Sequence, residues 1–136
     1  MRVYIASKYI VHKDINNFIY QELKKNAIDA FLPESINNDA LDKENMRFVS
    51  EKCFEEIERC DVILAVCPFG KSVSSELGYA IALKRRLQSH KYIVALHLDF
   101  GNEAMLSPYI DDEVENVPEL IQSLKNIEKL LLQGRR

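Results

Sequence analysis

The segment Val62-Ile-Leu-Ala-Val66 is followed, after an interval of four residues, by Lys71-Ser-Val-Ser-Ser-Glu-Leu-Gly-Tyr-Ala80. Five consecutive apolar residues without polar alternation are typical of a central strand that is covered on both faces of a sheet. In the second segment Leu77, Ala80 and Ile81 recur at helical spacing, which predicts a helix with one buried side. The two segments therefore predict a strand, a short loop and a helix that carries Glu76 in its first turn.

The rest of the chain repeats this alternation of strand and helix. Further strands are predicted at residues 3–6, 30–32 and 92–96, with a weaker one around Val114. Apolar residues recur at helical spacing after Lys13, between residues 46 and 60, and from Pro118 to Leu132. This pattern predicts a single α/β domain over residues 1–136, with a Rossmann-like (flavodoxin-like) parallel sheet of four or five strands and helices on both faces.

A ligand crevice is expected at one edge of this sheet. Ligands of such sheets bind beyond the carboxyl ends of the strands, where the strand order reverses. In the flavodoxin-like order 2-1-3-4-5, that point lies between the first and third strands. The loops there are Ser7-Lys8-Tyr9 and residues 67–75, so Glu76 follows directly on the expected crevice.

Composition argues against several classes of function. A net charge of −3 shows no basic excess for a nucleic-acid surface. No run approaches the roughly 18 apolar residues that a membrane helix needs. Three cysteines without C-x-x-C spacing indicate a reducing compartment, so we expect a cytoplasmic protein. The three scattered histidines predict no metal site.

Glu76 has two interpretations at this stage. The helix dipole favours a carboxylate in the first turn by about 0.3–1 kcal/mol, and Ser74 or Ser75 can cap the helix. A capping box does not account for the glutamate, because the residue three positions earlier is Val73. Alternatively, Glu76 faces a ligand in the crevice. Gly78, which costs a helix roughly 1 kcal/mol relative to alanine, then indicates close approach by backbone or ligand.

Five short segments together form a recognisable pattern. They are Val3-Tyr-Ile-Ala-Ser7, Phe31-Leu-Pro33, Cys53-Phe-Glu-Glu-Ile-Glu-Arg-Cys-Asp61, the strand Val62-Ile-Leu-Ala-Val66, and Ser75-Glu-Leu-Gly-Tyr-Ala80. This pattern resembles the nucleoside 2-deoxyribosyltransferase family and its relatives, the nucleotide N-glycosidases. The resemblance covers most of residues 2–110.

The resemblance implies chemistry at the N-glycosidic bond of a nucleoside or nucleotide. In the family, the glutamate that matches Glu76 attacks the anomeric carbon and displaces the base. The covalent glycosyl intermediate then passes its sugar to water or to a second base. The tyrosine that orients this glutamate matches Tyr4. A carboxylate held ionised by a helix N-terminus suits the role. No metal or organic cofactor is implied, and we expect a homodimer or a larger homo-oligomer.

The chain departs from the family pattern at Cys53. Eight residues before the aspartate that matches Asp61, the family has a second acidic residue, which helps to bind the sugar or to handle the proton of the leaving base. A thiol does not replace a carboxylate as a general acid and base. We expect Cys53 to be a buried core residue on an apolar helix stripe, and Asp61 to be structural.

The crevice loops carry further candidates. The predicted substrate-binding residues are Ser7, Lys8, Tyr9, Phe69, Gly70, Lys71, Ser72, Ser75 and Asn102. Gly70 stands where relatives place an acidic residue or a phosphate-binding serine. Lys8, Lys71 and nearby serines could hold a phosphate or could form a solvated loop, which is not a P-loop because the glycine spacing is absent.

Two aromatic residues and one distant segment complete the candidates. Tyr9 and Phe69 could stack on a base or pack as a lid. Asn102-Glu-Ala-Met-Leu106 resembles the family segment that reaches into a neighbouring subunit's site. In that segment the negative charge of Glu103 would repel a 5′-phosphate, unless Asn102 contacts the ligand in its place.

Three hypotheses follow for the function. In the first, the protein is an enzyme that cleaves or transfers at the N-glycosidic bond, with Glu76 as nucleophile and Tyr4 as its orienter. In the second, it is a catalytically impaired module that binds or senses a nucleotide on the same fold. In both, the partner is a small nucleoside or nucleotide. In the third, it is an interaction subunit with an empty crevice, for which Glu76 is dispensable.

Overall fold

The computed structural model describes residues 1–36, 42–68, 70–87, 91–98 and 107–134, which contain five strands and four α-helices. The strands are β1 (Arg2–Ala6), β2 (Asp29–Phe31), β3 (Val62–Cys67), β4 (Tyr92–His97) and β5 (Asp112–Val114). The helices are α1 (Lys13–Lys25), α2 (Lys43–Arg59), α3 (Lys71–Leu87) and α4 (Val117–Gly134). Short 3-10 turns lie at Pro33–Ser35 and Ser107–Tyr109. No helix in these ranges is long and apolar enough to cross a membrane.

All five strands form one parallel sheet in the order β2-β1-β3-β4-β5. The predicted fold class and strand order are confirmed, and so is the weak fifth strand at Val114. Every residue of β3 is buried, as its uninterrupted apolar sequence predicts. The order reverses between β1 and β3, so their carboxyl ends and the loops that follow them define the crevice.

The side chains of the strands alternate between two cores. Val3, Ile5, Val62 and Leu64 pack with α1 and α4, where Ile19, Leu23, Leu120 and Leu124 are buried. Tyr4, Ala6, Ile63 and Ala65 point to the opposite face, against Ile57 of α2 and Val73, Leu77 and Ala80 of α3. Tyr4 therefore lies under α2 and α3, which is the face that receives Glu76.

A charged network joins the amino ends of the strands, opposite the crevice. The Arg2 guanidinium binds Oδ2 of Asp29 at 2.6 Å and Oε2 of Glu56 at 2.8 Å. Glu56 is only 5% exposed. The Asp61 carboxylate accepts a hydrogen bond of 2.9 Å from the backbone N–H of Arg2. Asp61 thus connects β1 to the start of β3, which agrees with its predicted structural role.

The start of α3 was predicted one turn too late. The helix begins at Lys71, so Glu76 lies in its second turn and not in the first. Val73, Leu77 and Ala80 form one buried stripe, and the packing of Val73 onto the sheet extends the helix towards the strand. The hydroxyls of Ser74 and Ser75 do not cap the helix. They donate to the carbonyls of Gly70 and Lys71, four residues earlier, at 3.1 Å each.

Gly78 does not mark a close approach within the described residues. It is exposed, and a Cβ atom at this position would meet no described atom within 4 Å. The expectation of a close approach by backbone at Gly78 was therefore wrong for this part of the chain, and approach by a ligand stays a prediction.

Candidate functional site

Three polar side chains from three elements meet beneath α2 and α3. Tyr4 comes from β1, Cys53 from α2 and Glu76 from α3. The Tyr4 side chain is fully buried, and its ring stacks on Phe31 of β2 with the centroids 5.5 Å apart. Because Phe31 is the register partner of Tyr4, the sheet itself fixes the direction of the tyrosine ring.

The Tyr4 hydroxyl and one carboxylate oxygen of the half-buried Glu76 are buried and without hydrogen bonds. Neither the Tyr4 hydroxyl nor Oε2 of Glu76 has a hydrogen-bond partner in the described part of the chain. The two groups lie close enough to shift each other's pKa, although they do not meet hydrogen-bond geometry. A buried polar atom that lacks a partner typically costs about 1–3 kcal/mol. Both atoms thus retain the capacity to bond to a ligand.

Burial controls the ionisation of Glu76. It raises the pKa of this carboxyl group to about 7, and the neighbouring Tyr4 hydroxyl lowers it only in part. We expected the first turn of the helix to keep this carboxylate ionised. Glu76 lies in the second turn instead, and its pKa is raised and not lowered, so this expectation was wrong. A carboxyl group with this pKa is present in both protonation states at neutral pH.

Cys53 is part of this cluster. It packs against the core on the α2/α3 face, as expected for a core residue, although it is only half-buried. Its thiol interacts with both Tyr4 and Glu76. Burial raises the pKa of the thiol, the Tyr4 hydroxyl lowers it in part, and the Glu76 and Glu56 carboxylates each raise it by less. Cys53 is thus a neutral thiol beside the carboxyl group at neutral pH.

The loop after β1 lies beside the loop after β3, as the strand order predicts. A Cβ atom at Gly70 would lie 3.5 Å from Cγ and 3.6 Å from Cε of Lys8. The Ser7 hydroxyl is 3.3 Å from Nδ1 of His12, which is 8% exposed. Ser7, Lys8 and Gly70 are therefore brought together at the crevice.

The remaining predicted binding residues are more dispersed. Lys71, Ser72 and Ser75 are exposed on the first turns of α3, and Tyr9 is half-buried. Ser72 lies four residues before Glu76 and so on the same side of the helix. Phe69 and Asn102 lie outside the described residues.

Asn16 is a buried residue of the crevice that the sequence analysis missed. Its side-chain nitrogen donates to the Lys8 carbonyl at 3.1 Å and to Oε1 of Glu34 at 2.8 Å, and the residue is 1% exposed. It thereby joins the loop after β1 to the turn after β2. The available signal was a polar residue on the buried stripe of α1, at helical spacing from Ile19 and Leu23.

Replacing this residue tests its role in holding the two loops. We expect Asn16→Leu to lower the free energy of unfolding by about 1–3 kcal/mol, because the Lys8 carbonyl and the Glu34 carboxylate lose their buried donor. Urea unfolding measures the effect. Asn17→Leu, on the exposed face of the same helix, is the control for the same change of side chain. Equal losses in the two variants would contradict a special role for Asn16.

The architecture around this site is shared with solved structures. A 2-deoxyribosyltransferase from Bacillus psychrosaccharolyticus aligns with a TM-score of 0.74 at 17% identity, over 89% of this chain and 90% of that chain. The chain has the 2-deoxyribosyltransferase fold. The fold expected from the sequence resemblance is thereby confirmed.

Two other proteins with the 2-deoxyribosyltransferase fold extend the comparison. The CMP N-glycosidase BcmB from Clostridium botulinum has a TM-score of 0.58 at 16% identity, over 92% of this chain and 99% of that chain. The 2-desoxiribosyltransferase from Leishmania mexicana has a TM-score of 0.55 at 25% identity, over 72% of this chain and 65% of that chain. No protein-family model and no curated protein sequence matches the chain.

Proposed function

We propose that this protein cleaves or transfers at the N-glycosidic bond of a nucleoside or nucleotide, with Glu76 as the nucleophile and Tyr4 as its positioning residue. The observation that carries the proposal is the buried pair of unpartnered polar atoms, Oη of Tyr4 and Oε2 of Glu76. The names of proteins with the same fold support it, since they state 2-deoxyribosyl transfer and CMP N-glycosidase activity.

The proposed reaction proceeds in two steps. A carboxylate oxygen of Glu76 attacks the anomeric carbon, the C–N bond breaks, and its electron pair leaves with the base. The glycosyl ester that results is then attacked by water or by a second base, which releases the carboxylate. We assign the Tyr4 hydroxyl, whose ring is fixed by its stacking on Phe31, to bonding the carboxylate in the attacking orientation once the substrate is bound.

The first step requires the ionised form of Glu76, which predicts a specific pH profile. Burial raises the pKa of Glu76 to about 7, so the nucleophilic form is lost as the pH falls below that value. We expect kcat/KM to be level above pH 8 and to fall by about tenfold per pH unit below pH 6. Initial rates of base release between pH 5 and pH 9 measure the profile. A rate that stays constant down to pH 5 would contradict the role of this carboxylate.

Release of the free base, followed by chromatography, tests the proposed function directly. The panel contains deoxyribonucleosides, ribonucleosides and their 5′-monophosphates, each incubated with and without a second base. Base release that needs the second base identifies a transferase, and release without it identifies a hydrolase. We propose that the enzyme acts as a homodimer or larger assembly, which size-exclusion chromatography with light scattering checks on the same sample.

A second candidate function is favoured by the position of Cys53. A thiol with a raised pKa contacts the nucleophile, and such a group is a weak general acid at neutral pH. The alternative is a module that binds a nucleotide without turnover. Calorimetric binding of a monophosphate from the panel, with no release of its base after prolonged incubation, would favour this alternative over the enzyme.

A further inference from the structure

The carboxyl group of Glu76 has no cationic partner in the described ranges of the chain. No lysine, arginine or histidine there forms an ion pair with it. Its interacting neighbours are the Tyr4 hydroxyl from β1 and the Cys53 thiol from α2. Both are neutral when protonated. When Glu76 is ionised, the side chains that interact with its charge in this part of the chain are thus neutral, and its buried oxygen Oε2 has no donor.

A buried carboxylate is normally paired with a cation or with several hydrogen-bond donors. A ligand that brings a positive charge close to Glu76 would supply the missing partner. Such a ligand would also stabilise the ionised carboxylate, which is the form that can attack. Charge complementarity therefore favours a cationic ligand over a neutral one of the same shape.

The proton-bearing neighbours of Glu76 point to the same class of ligand. A neutral base leaves as an anion unless an acid protonates it. The Tyr4 hydroxyl and the Cys53 thiol are poor acids, because burial raises the pKa of each. A base that is already cationic leaves as a neutral molecule and needs no proton.

We propose that the site selects N-glycosides whose base carries a permanent positive charge, such as a ribosylated pyridinium or an N7-alkylated purine. This inference rests on the proposed function and specifies its substrate class. In the first step, the Glu76 carboxylate forms the ester bond to the anomeric carbon while the C–N bond breaks. The electron pair of that bond neutralises the ring nitrogen of the departing base. In the second step, water adds to the sugar, the carboxylate is released, and one proton goes to solvent.

A matched pair of probes tests the inference by binding. Nicotinamide riboside and its carbon analogue benzamide riboside have the same shape and differ by one positive charge, which the pyridinium ring keeps at every pH. We expect the protein at pH 8 to bind nicotinamide riboside at least about tenfold more tightly than benzamide riboside, as is typical of a close charge pair in a partly buried site. Isothermal titration calorimetry measures both affinities. Equal affinities for the two probes would overturn the inference.

Substitutions and a change of pH test whether Glu76 causes the preference for the cationic probe. In Glu76→Gln the preference is expected to disappear, whereas Glu51→Gln on the exposed side of α2 should retain it. In the unaltered protein the preference should vanish at pH 5, where Glu76 is protonated. A preference that persists in Glu76→Gln, or at pH 5, would overturn the assignment.

Turnover separates a failure of this inference from a failure of the proposed function. Release of nicotinamide from nicotinamide mononucleotide and of 7-methylguanine from 7-methylguanosine should depend on Glu76. If Glu76 accelerates the release of guanine from guanosine over the spontaneous reaction by the same factor as it accelerates release of the cationic bases, the result would support the proposed function. It would overturn the charge preference. No Glu76-dependent release from any probe would overturn the proposed function itself.

Discussion

Glu76→Gln is expected to lower the rate of base release by at least about 10³-fold, because an amide of the same shape cannot form the glycosyl ester. The loss should appear in kcat, since the ester is made only after the substrate is bound. Single-turnover chromatography on the best substrate of the panel measures it. Tyr4→Phe should give a smaller loss, because it removes a positioning hydroxyl and leaves the nucleophile in place.

Glu76→Gln is also expected to change the pH dependence of the free energy of unfolding in a way that a damaged fold would not. The pKa of Glu76 rises from 4.5 in the unfolded chain to about 7 in the folded protein. The group's contribution to stability is therefore complete below pH 4.5 and is lost as the pH rises through 7, by up to about 3 kcal/mol. Glutamine does not ionise. We expect Glu76→Gln to be more stable than the unaltered protein at pH 8, with the difference vanishing at pH 4.5.

Urea unfolding at several pH values distinguishes the two explanations of an inactive variant. A lower stability of Glu76→Gln at every pH would mean that the substitution disturbs the packing of α3. A constant offset between the two pH curves would show that Glu76 is not the buried ionisable group. In either case, the loss of turnover would no longer identify the nucleophile.

Arg2→Ala is expected to lower the free energy of unfolding by about 2–4 kcal/mol, although Arg2 is distant from the crevice. The substitution leaves the Glu56 carboxylate, whose side chain is 6% exposed, without the guanidinium that binds it at 2.8 Å. Breaking a fully buried ion pair costs about 3–5 kcal/mol. The expected value is smaller because the Arg2 side chain is 34% exposed and Lys52 remains 3.8 Å from the second oxygen of Glu56.

The other partner of Arg2 provides the matched control. Asp29 binds the same guanidinium, but its side chain is 62% exposed. Because exposed ion pairs contribute about 0–1 kcal/mol, Asp29→Asn should change stability far less than Arg2→Ala does. Urea unfolding at neutral pH compares the two variants. Equal effects would contradict the importance of burial at Glu56.

The parallel sheet and the central position of β3 could be predicted from the sequence because they depend on local patterns, whereas the strand order was taken from the flavodoxin-like fold. The uninterrupted apolar run of β3 identifies a central strand, and strand–helix alternation restricts the connections to a parallel sheet. The start of α3 could not be predicted as well. Three serines and a glycine around Val73 resemble a loop by local propensity, yet packing of Val73 against the sheet carries the helix through them.

The sequence by itself determined the alternation of strands and helices and the central position of β3, because periodicity and chain order alone fix these features. The tertiary structure alone decided that Cys53 lies beside Tyr4 and Glu76, and that Asn16 joins two loops. These contacts connect elements that are far apart in the chain, so no local pattern encodes them. The raised pKa of Glu76 likewise results from tertiary contacts. Its pKa is raised by the neighbours that bury it, and burial is a property of the packed molecule.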